Sequence, residues 1–344
     1  MTASRLGVGI VGVSPSRGWA ATAHIPALRA LPNFEIRALS GRTAEAARAA
    51  GEQFGVRNVF TSHEDLVAHP DVDVVVVTVR APRHRELVGA ALAAGKAVYC
   101  EWPLGRDLGE ARDMAALAAT KGVRTVVGLQ GRQAPAIELA RHLVSEGYVG
   151  EVLSTTMIGV SVAGASVGQP NAYMLEKSNG ANVLSIAVGH SVDALNYVLG
   201  EFVSLSAMSD LRRPTIILED SGEQVHKTAP DQIAIIGSLE SSTTVSVHIR
   251  ESVAGGTGFM WEINGTRRDT AVDCCRPVPR DLSADNRRST WGKRTGGAGD
   301  PCRADAEVAR TGRARGSARV QRRAHLRRVR GGCHQRHAHG GGLR

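Results

Sequence analysis

The sequence predicts an α/β domain built on a doubly wound parallel sheet, followed by an α+β domain with an open antiparallel sheet. Three observations carry this prediction. From residue 6 to about residue 130, apolar strand-like runs alternate with helical patterns that close on glycine, which is the signature of βαβ units. One run, Val72 to Val79, is almost continuously β-branched, as a central parallel strand buried on both faces should be. Beyond about residue 150 the texture changes to Thr/Ser/Val-rich alternating runs, the pattern of antiparallel strands.

The elements follow in order. Leu6 to Val13 reads as the first strand, Trp19 to Leu31 as a helix with Pro32 just beyond it, and Phe34 to Leu39 as the second strand. Ala44 to Phe54 is an Ala/Glu/Arg helix stopped by Gly55, a favoured residue for the left-handed position after a helix end. Ser62-His63-Glu64-Asp65 has the form of a capping box opening a short helix. A helix from His84 to Ala94 ends at Gly95, a strand spans Ala97 to Cys100, a helix from Leu108 to Lys121 ends at Gly122, and Thr125 to Leu129 is the next strand. After a helix from Ala136 to Glu146 come the runs Val152 to Val162, Val203 to Met208, Gln232 to Leu239 and Thr243 to Ile249, interrupted by a helix from Ala181 to Leu199. The expected organisation is therefore a dinucleotide-binding domain over 1–130, a substrate or dimerisation domain over 131–266, and a tail over 267–344.

The tail separates itself by charge. The chain carries a formal net charge of +9, but residues 1–266 hold 22 Lys and Arg against 26 Asp and Glu, so the excess lies beyond them. The tail is rich in Arg, Gly and Ala, shows neither structural period, and is expected to lack a packed core and be disordered. Three readings stand for it: a basic nucleic-acid-binding extension, a metal site from Cys333, His334, His337 and His339, or an out-of-frame translation of a GC-rich gene. Without the tail, the charge gives no reason to expect nucleic-acid binding. The absence of a run of 18 apolar residues and of a signal-peptide pattern at Met1-Thr2-Ala3-Ser4-Arg5 predicts a cytoplasmic protein. Only Cys100 precedes residue 274, which points to a reducing compartment.

Gly7, Gly9 and Gly12 spell G-x-G-x-x-G, but they lie inside the first strand, whereas phosphate-binding glycines belong in the turn after it. The turn that matters is Gly12-Val13-Ser14-Pro15-Ser16-Arg17-Gly18, with Ser14 at the middle position. Arg17 can pair with phosphate or stand as a solvated loop arginine. At the end of the second strand, where an Asp or Glu favours NAD, stand Ser40, Gly41 and Arg42. Small polar groups followed by Arg42 suit a 2′-phosphate and predict NADP in preference to NAD; the other reading makes Arg42 a surface residue opening a helix.

Three further stretches are Val79-Arg80-Ala81-Pro82-Arg83-His84, the run from Ala93-Ala94-Gly95-Lys96 through Glu101-Trp102-Pro103-Leu104, and Gly128-Leu129-Gln130-Gly131-Arg132. In this order, over roughly residues 5–266, they resemble the glucose-fructose oxidoreductase / inositol dehydrogenase (Gfo/Idh/MocA) family. The resemblance implies a Rossmann domain, an open sheet that dimers often use as an interface, and an active site between the two. It also implies cofactor contacts at Gly12, Ser14, Arg17, Gly18, Trp19, Ser40, Arg42, Val79, His84, Glu101, Trp102 and Gln130.

Two departures bear on function. Where the family carries the lysine of Glu-Lys-Pro beside the nicotinamide, this chain has Trp102, and an indole can stack or block but has no proton to exchange near neutral pH. Of the family's Asp-x-x-x-His, the Asp position holds Ile186 and the His position His190. His190 is thus the candidate catalytic residue, a group that titrates near pH 7, or else a satisfied structural histidine. Asp193, one turn on, orients His190 or sits on the helix surface. Ser14 to Trp19, His24-Ile25-Pro26-Ala27, Glu101-Trp102, Gly147-Tyr148-Val149-Gly150 and Gly189-His190 are similar to a narrower branch of the family, that of the fungal galactose-regulon repressor. The expectation is an NAD(P)-binding oxidoreductase-family protein acting on a sugar or polyol by hydride transfer. Its alternative is a catalytically inactive NADP-dependent sensor read by a protein partner. A homo-oligomer is expected in either case.

Overall fold

The computed structural model describes residues 5–161, 165–252 and 258–274. Six strands, β1 (Leu6–Val11), β2 (Phe34–Ser40), β3 (Asn58–Phe60), β4 (Val74–Val77), β5 (Ala97–Glu101) and β6 (Thr125–Gly128), form a parallel sheet in the order β3-β2-β1-β4-β5-β6. The helices α1 (Ile25–Ala30), α2 (Ala44–Phe54), α3 (His63–Ala68), α4 (His84–Ala93) and α5 (Leu108–Lys121) connect them. The order reverses between β1 and β4, and in such sheets that reversal opens a crevice at the carboxyl ends of the strands. The β-branched run behaves as a central strand: Val75 and Val77 enter one buried cluster and Val76 the other. Local signals hold too. Thr43, Ser62 and Asp107 cap α2, α3 and α5 through their side chains, and Gly55 and Gly122 close α2 and α5 in the left-handed region.

Gly7 and Gly9 are packing glycines. A Cβ on Gly7 would stand 1.8 Å from the Asp71 carbonyl oxygen, and one on Gly9 would stand 2.7 Å from Leu66.

The second half begins with α6 (Pro135–Ser145), which packs with α7 (Gly189–Leu199) against one face of a six-stranded sheet. That sheet runs β15-β14-β7-β13-β12-β9, with β7 (Val152–Ser161), β9 (Phe202–Asp210), β12 (Gln232–Leu239), β13 (Thr244–Glu251), β14 (Phe259–Gly265) and β15 (Asp269–Cys274). It is mixed: β7 and β13 are parallel and the other neighbours antiparallel. Trp261, with no exposed surface, centres its core and donates its indole N–H to Thr155 Oγ1 at 2.7 Å. A small sheet of β8 (Ser166–Val167), β10 (Thr215–Leu218) and β11 (Gln224–His226) lies beside it.

Three expectations need correction. The helices read as Trp19 to Leu31 and Ala181 to Leu199 each begin with one π-helical turn, Ala20–His24 and Leu184–Val188, before α1 and α7. The small sheet was not foreseen, because strands of two to four residues show no period. Residues 269–274, within the stretch expected to be without regular structure, form β15 on the edge of the large sheet. Asn264 Nδ2 donates to Asp269 Oδ1 at 2.6 Å to close the turn into it. Residues 275–344 of the proposed tail, with Cys333, His334, His337 and His339, lie outside the described residues. Among the described residues no helix is long and apolar enough to cross a membrane.

Candidate cofactor crevice

The crevice is built from loops at the carboxyl edge of the parallel sheet. The turn after β1 enters and leaves through Gly12 and Gly18, each at φ +95°, a conformation that side chains disfavour. The Gly12 and Val13 amides donate to the Ser40 carbonyl at 3.1 and 2.9 Å, which fixes the turn to the end of β2. Among the described residues, the backbone N–H groups of Ser14, Ser16, Arg17 and Gly18 have no protein acceptor. A Cβ on Gly12 would come within 2.6 Å of Val79, so only glycine lets this turn lie against the end of β4. A glycine-framed turn with unpaired amides at the switch point fits a pyrophosphate. Trp19, half exposed, follows at the loop's end.

Ser40 is buried at the end of β2, and Arg42 is exposed with no partner among the described residues. No carboxylate stands at that strand end. Gln130 is exposed just past β6.

Glu101 ends β5, and its Oε1 lies 2.5 Å from His24 Nε2. Trp102 follows it through a cis peptide to Pro103. The indole N–H of Trp102 donates to the Ser185 carbonyl at 2.7 Å, across to the second half of the molecule. Gly189 lies under the ring, where a Cβ would stand 2.7 Å from Nε1. The position that the family resemblance gives to a proton-carrying lysine is therefore filled by a seated, hydrogen-bonded indole.

His84 takes a supporting position. It is 1% exposed, with Nε2 facing the Val79 carbonyl at 2.9 Å and Nδ1 facing those of Pro103 and Leu104 at 3.0 and 3.2 Å. Its ring holds the loops after β4 and β5 together from beneath. Val79 reaches the crevice beside Gly12.

His190, on the first turn of α7, faces Trp102 with ring centroids 6.3 Å apart. Burial pushes its imidazole below the usual histidine range, against the opposing pull of Asp193 and Glu101. It is thus neutral near pH 7 and able to accept a proton. Asp193 is not its orienting partner: both carboxylate oxygens take Arg132 Nε at 3.0 Å, and Oδ1 also takes Nη2 at 2.5 Å. Cys100, one residue before Glu101, is buried and its thiol is pushed up to about 12, chiefly by burial, so it is unreactive packing.

Three residues with no assigned role in the sequence reading line this region. His24 pairs with Glu101, and Arg80 donates to the Pro170 carbonyl at 2.8 Å while its guanidinium lies 4.6 Å from the centre of the Tyr173 ring. His24 and Arg80 stood in the quoted motifs, but Tyr173 lies in a 3-10 stretch, Gln169–Leu175, that carried no periodic signal.

The fold and this crevice define a dinucleotide-binding protein of the Rossmann type with an appended mixed-sheet domain. Residues 6–129 match the NAD-binding Rossmann fold of the Gfo/Idh/MocA oxidoreductase family, and residues 135–273 match the C-terminal domain of Gal80p. The dehydrogenase aclE of Aspergillus oryzae is 33% identical over 277 residues, 76% of this chain and 75% of the relative. Among solved structures, a super-repressor mutant of Gal80p from Saccharomyces cerevisiae superposes with a TM-score of 0.73 at 28% identity. The match covers 78% of this chain and 74% of that one. Levoglucosan dehydrogenase in complex with NADH and levoglucosan gives 0.71 at 25% identity, covering 78% and 74%. The chain belongs to the Gfo/Idh/MocA family, as an NAD-binding oxidoreductase-family protein with both dehydrogenases and a transcriptional regulator among its relatives.

Proposed function

We propose that the chain binds NAD(P) across the carboxyl edge of its parallel sheet, takes a sugar-like or polyol ligand beside it, and acts as a sensor of that state rather than a catalyst. The observation that carries this reading is Trp102. Its indole is hydrogen-bonded to Ser185 and seated on Gly189, so the place suited to a proton carrier holds a group that cannot exchange one. In such a protein the occupied crevice is the signal, and a protein partner reads the surface around exposed Trp19 and Arg17. We also propose NADP as the preferred cofactor, on the strength of Arg42 and the missing carboxylate at the end of β2. The face of the mixed sheet that no other described residues cover, where Ile236 is 63% and Met208 65% exposed, supports a homo-oligomer. The slight acidic excess of residues 1–266 supports a reading without nucleic acid, and we propose the cytoplasm as the compartment, where the buried Cys100 thiol stays reduced.

A second reading rests on His190. An oxidised nicotinamide, when bound, would accept the hydride of a substrate's carbinol carbon. His190, held neutral by burial at the mouth between the two halves, takes the hydroxyl proton. One experiment separates the two: formation of reduced nicotinamide by the full chain and by Trp102→Lys over a panel of polyols and sugars. Turnover confined to the lysine variant supports the sensor. Turnover by the unaltered chain, abolished by His190→Ala, supports the enzyme.

A further inference from the structure

His24 lies outside every motif assigned to the cofactor, on the last residue of the π-helical turn that follows the phosphate loop. Single π turns inside helices recur at functional positions. This one turns the His24 ring toward the end of β5, where Nε2 stands 2.5 Å from Glu101 Oε1 and the ring packs edge-on against Tyr99 at 5.1 Å. Both side chains are mostly buried, at 13% and 15% exposure, yet Glu101 Oε2 has no protein partner among the described residues. The space beside the pair is kept open by Gly128 at the end of β6: a Cβ there would lie 3.3 Å from Glu101 Oε1 and 3.0 Å from the Tyr99 hydroxyl. A carboxylate fixed by one oxygen and presenting the other is arranged to accept from a hydroxyl pair.

The topology says which hydroxyls. In this sheet order the pyrophosphate belongs to the turn after β1 and the adenosine half to the end of β2. The nicotinamide half then falls over β4 and β5, where Glu101 stands. We propose that His24 is a positioning residue for the nicotinamide nucleotide: it fixes Glu101 so that the free carboxylate oxygen receives the vicinal diol of that ribose. It thereby couples the turn after the phosphate loop to the far end of the site. The inference rests on the proposed NAD(P) binding and adds a positioning residue to it.

The test is calorimetric binding to the full chain of four ligand types: NAD, NADP, the matching ADP-ribose, and ADP or its 2′-phosphate, which lack the second ribose. His24→Ala is expected to weaken the tighter dinucleotide and its ADP-ribose by about tenfold, the worth of one hydrogen bond to a charged group. Binding of the diphosphate should stay within about twofold. His24→Gln, which keeps a donor, should recover most of the loss. His24→Ala added to Glu101→Ala should cost nothing further, since the histidine acts only through the carboxylate. Equal losses for dinucleotide and diphosphate, or additive losses in the double variant, overturn the proposal while leaving cofactor binding intact. Failure of the unaltered chain to bind either dinucleotide overturns both.

Discussion

At the residue scale the molecule turns on two histidines and a tryptophan. Trp102 and Gly189 form a matched pair, because the indole occupies the space a Cβ would need. Gly189→Ala is expected to cost about 1–3 kcal/mol by overpacking, and the cost should largely vanish in a Trp102→Ala background; equal costs in both backgrounds, measured by denaturant unfolding, contradict the pairing. His190 makes a pH prediction. Its folded value lies below the unfolded 6.5, so the unfolded chain takes up the proton first. The contribution of neutral His190 is therefore present above about pH 6.5 and is lost as pH falls through its folded value. The thermal midpoint should drop more steeply between neutral and mildly acidic pH than in His190→Phe. Asp193→Asn removes a charge that supports the protonated ring, so the imidazole resonances of His190 should titrate still lower by NMR. These residues differ in how far the sequence exposed them. Trp102 announces itself by breaking a known pattern and His190 by keeping its place in one whose Asp has become Ile186, whereas His24 matters through one contact across 77 positions, which no periodicity encodes.

At the element scale, what was legible is what local chemistry decides. The helices α2 and α5 begin and end where capping side chains and glycines place them, and β4 is buried as its composition requires. The π turns before α1 and α7 were not legible, since each spans only five residues, too few for a separate period to show. The small sheet, whose strands of two to four residues show no period, is fastened by tertiary contacts. Lys227, just after β11, is 1% exposed, and its Nζ lies 2.5 Å from Glu251 at the end of β13. Burial pushes the Glu251 carboxyl above the usual range while Lys227 and Arg213 pull it back. Lys227→Met leaves that carboxylate without its ammonium and should destabilise the fold by about 3–5 kcal/mol, whereas Lys227→Met with Glu251→Leu should recover most of it. Comparable losses in the single and double variants, read from denaturant midpoints, would contradict the assignment.

At the scale of the whole molecule, the two halves meet through close approaches as well as polar contacts. Gly180, at φ +69°, faces Arg106 where a Cβ would lie 2.3 Å from its backbone, and Trp102, Arg80 and their partners complete the joint. The sequence showed a parallel-sheet half followed by a largely antiparallel one; it could not show that the tryptophan replacing a lysine also ties the crevice to the second half. The sheet face left exposed among the described residues predicts a dimer by size-exclusion chromatography, and a monomer would contradict that reading. The central claim, however, is cofactor binding without the need for a reacting substrate. It is tested most directly by calorimetric titration of NADP and NAD into the full chain with no other ligand present. Saturable binding of both, tighter for NADP and with that advantage lost in Arg42→Ala, is the predicted result. Absence of binding to either dinucleotide would contradict the account, and tighter binding of NAD would contradict its assignment of Arg42.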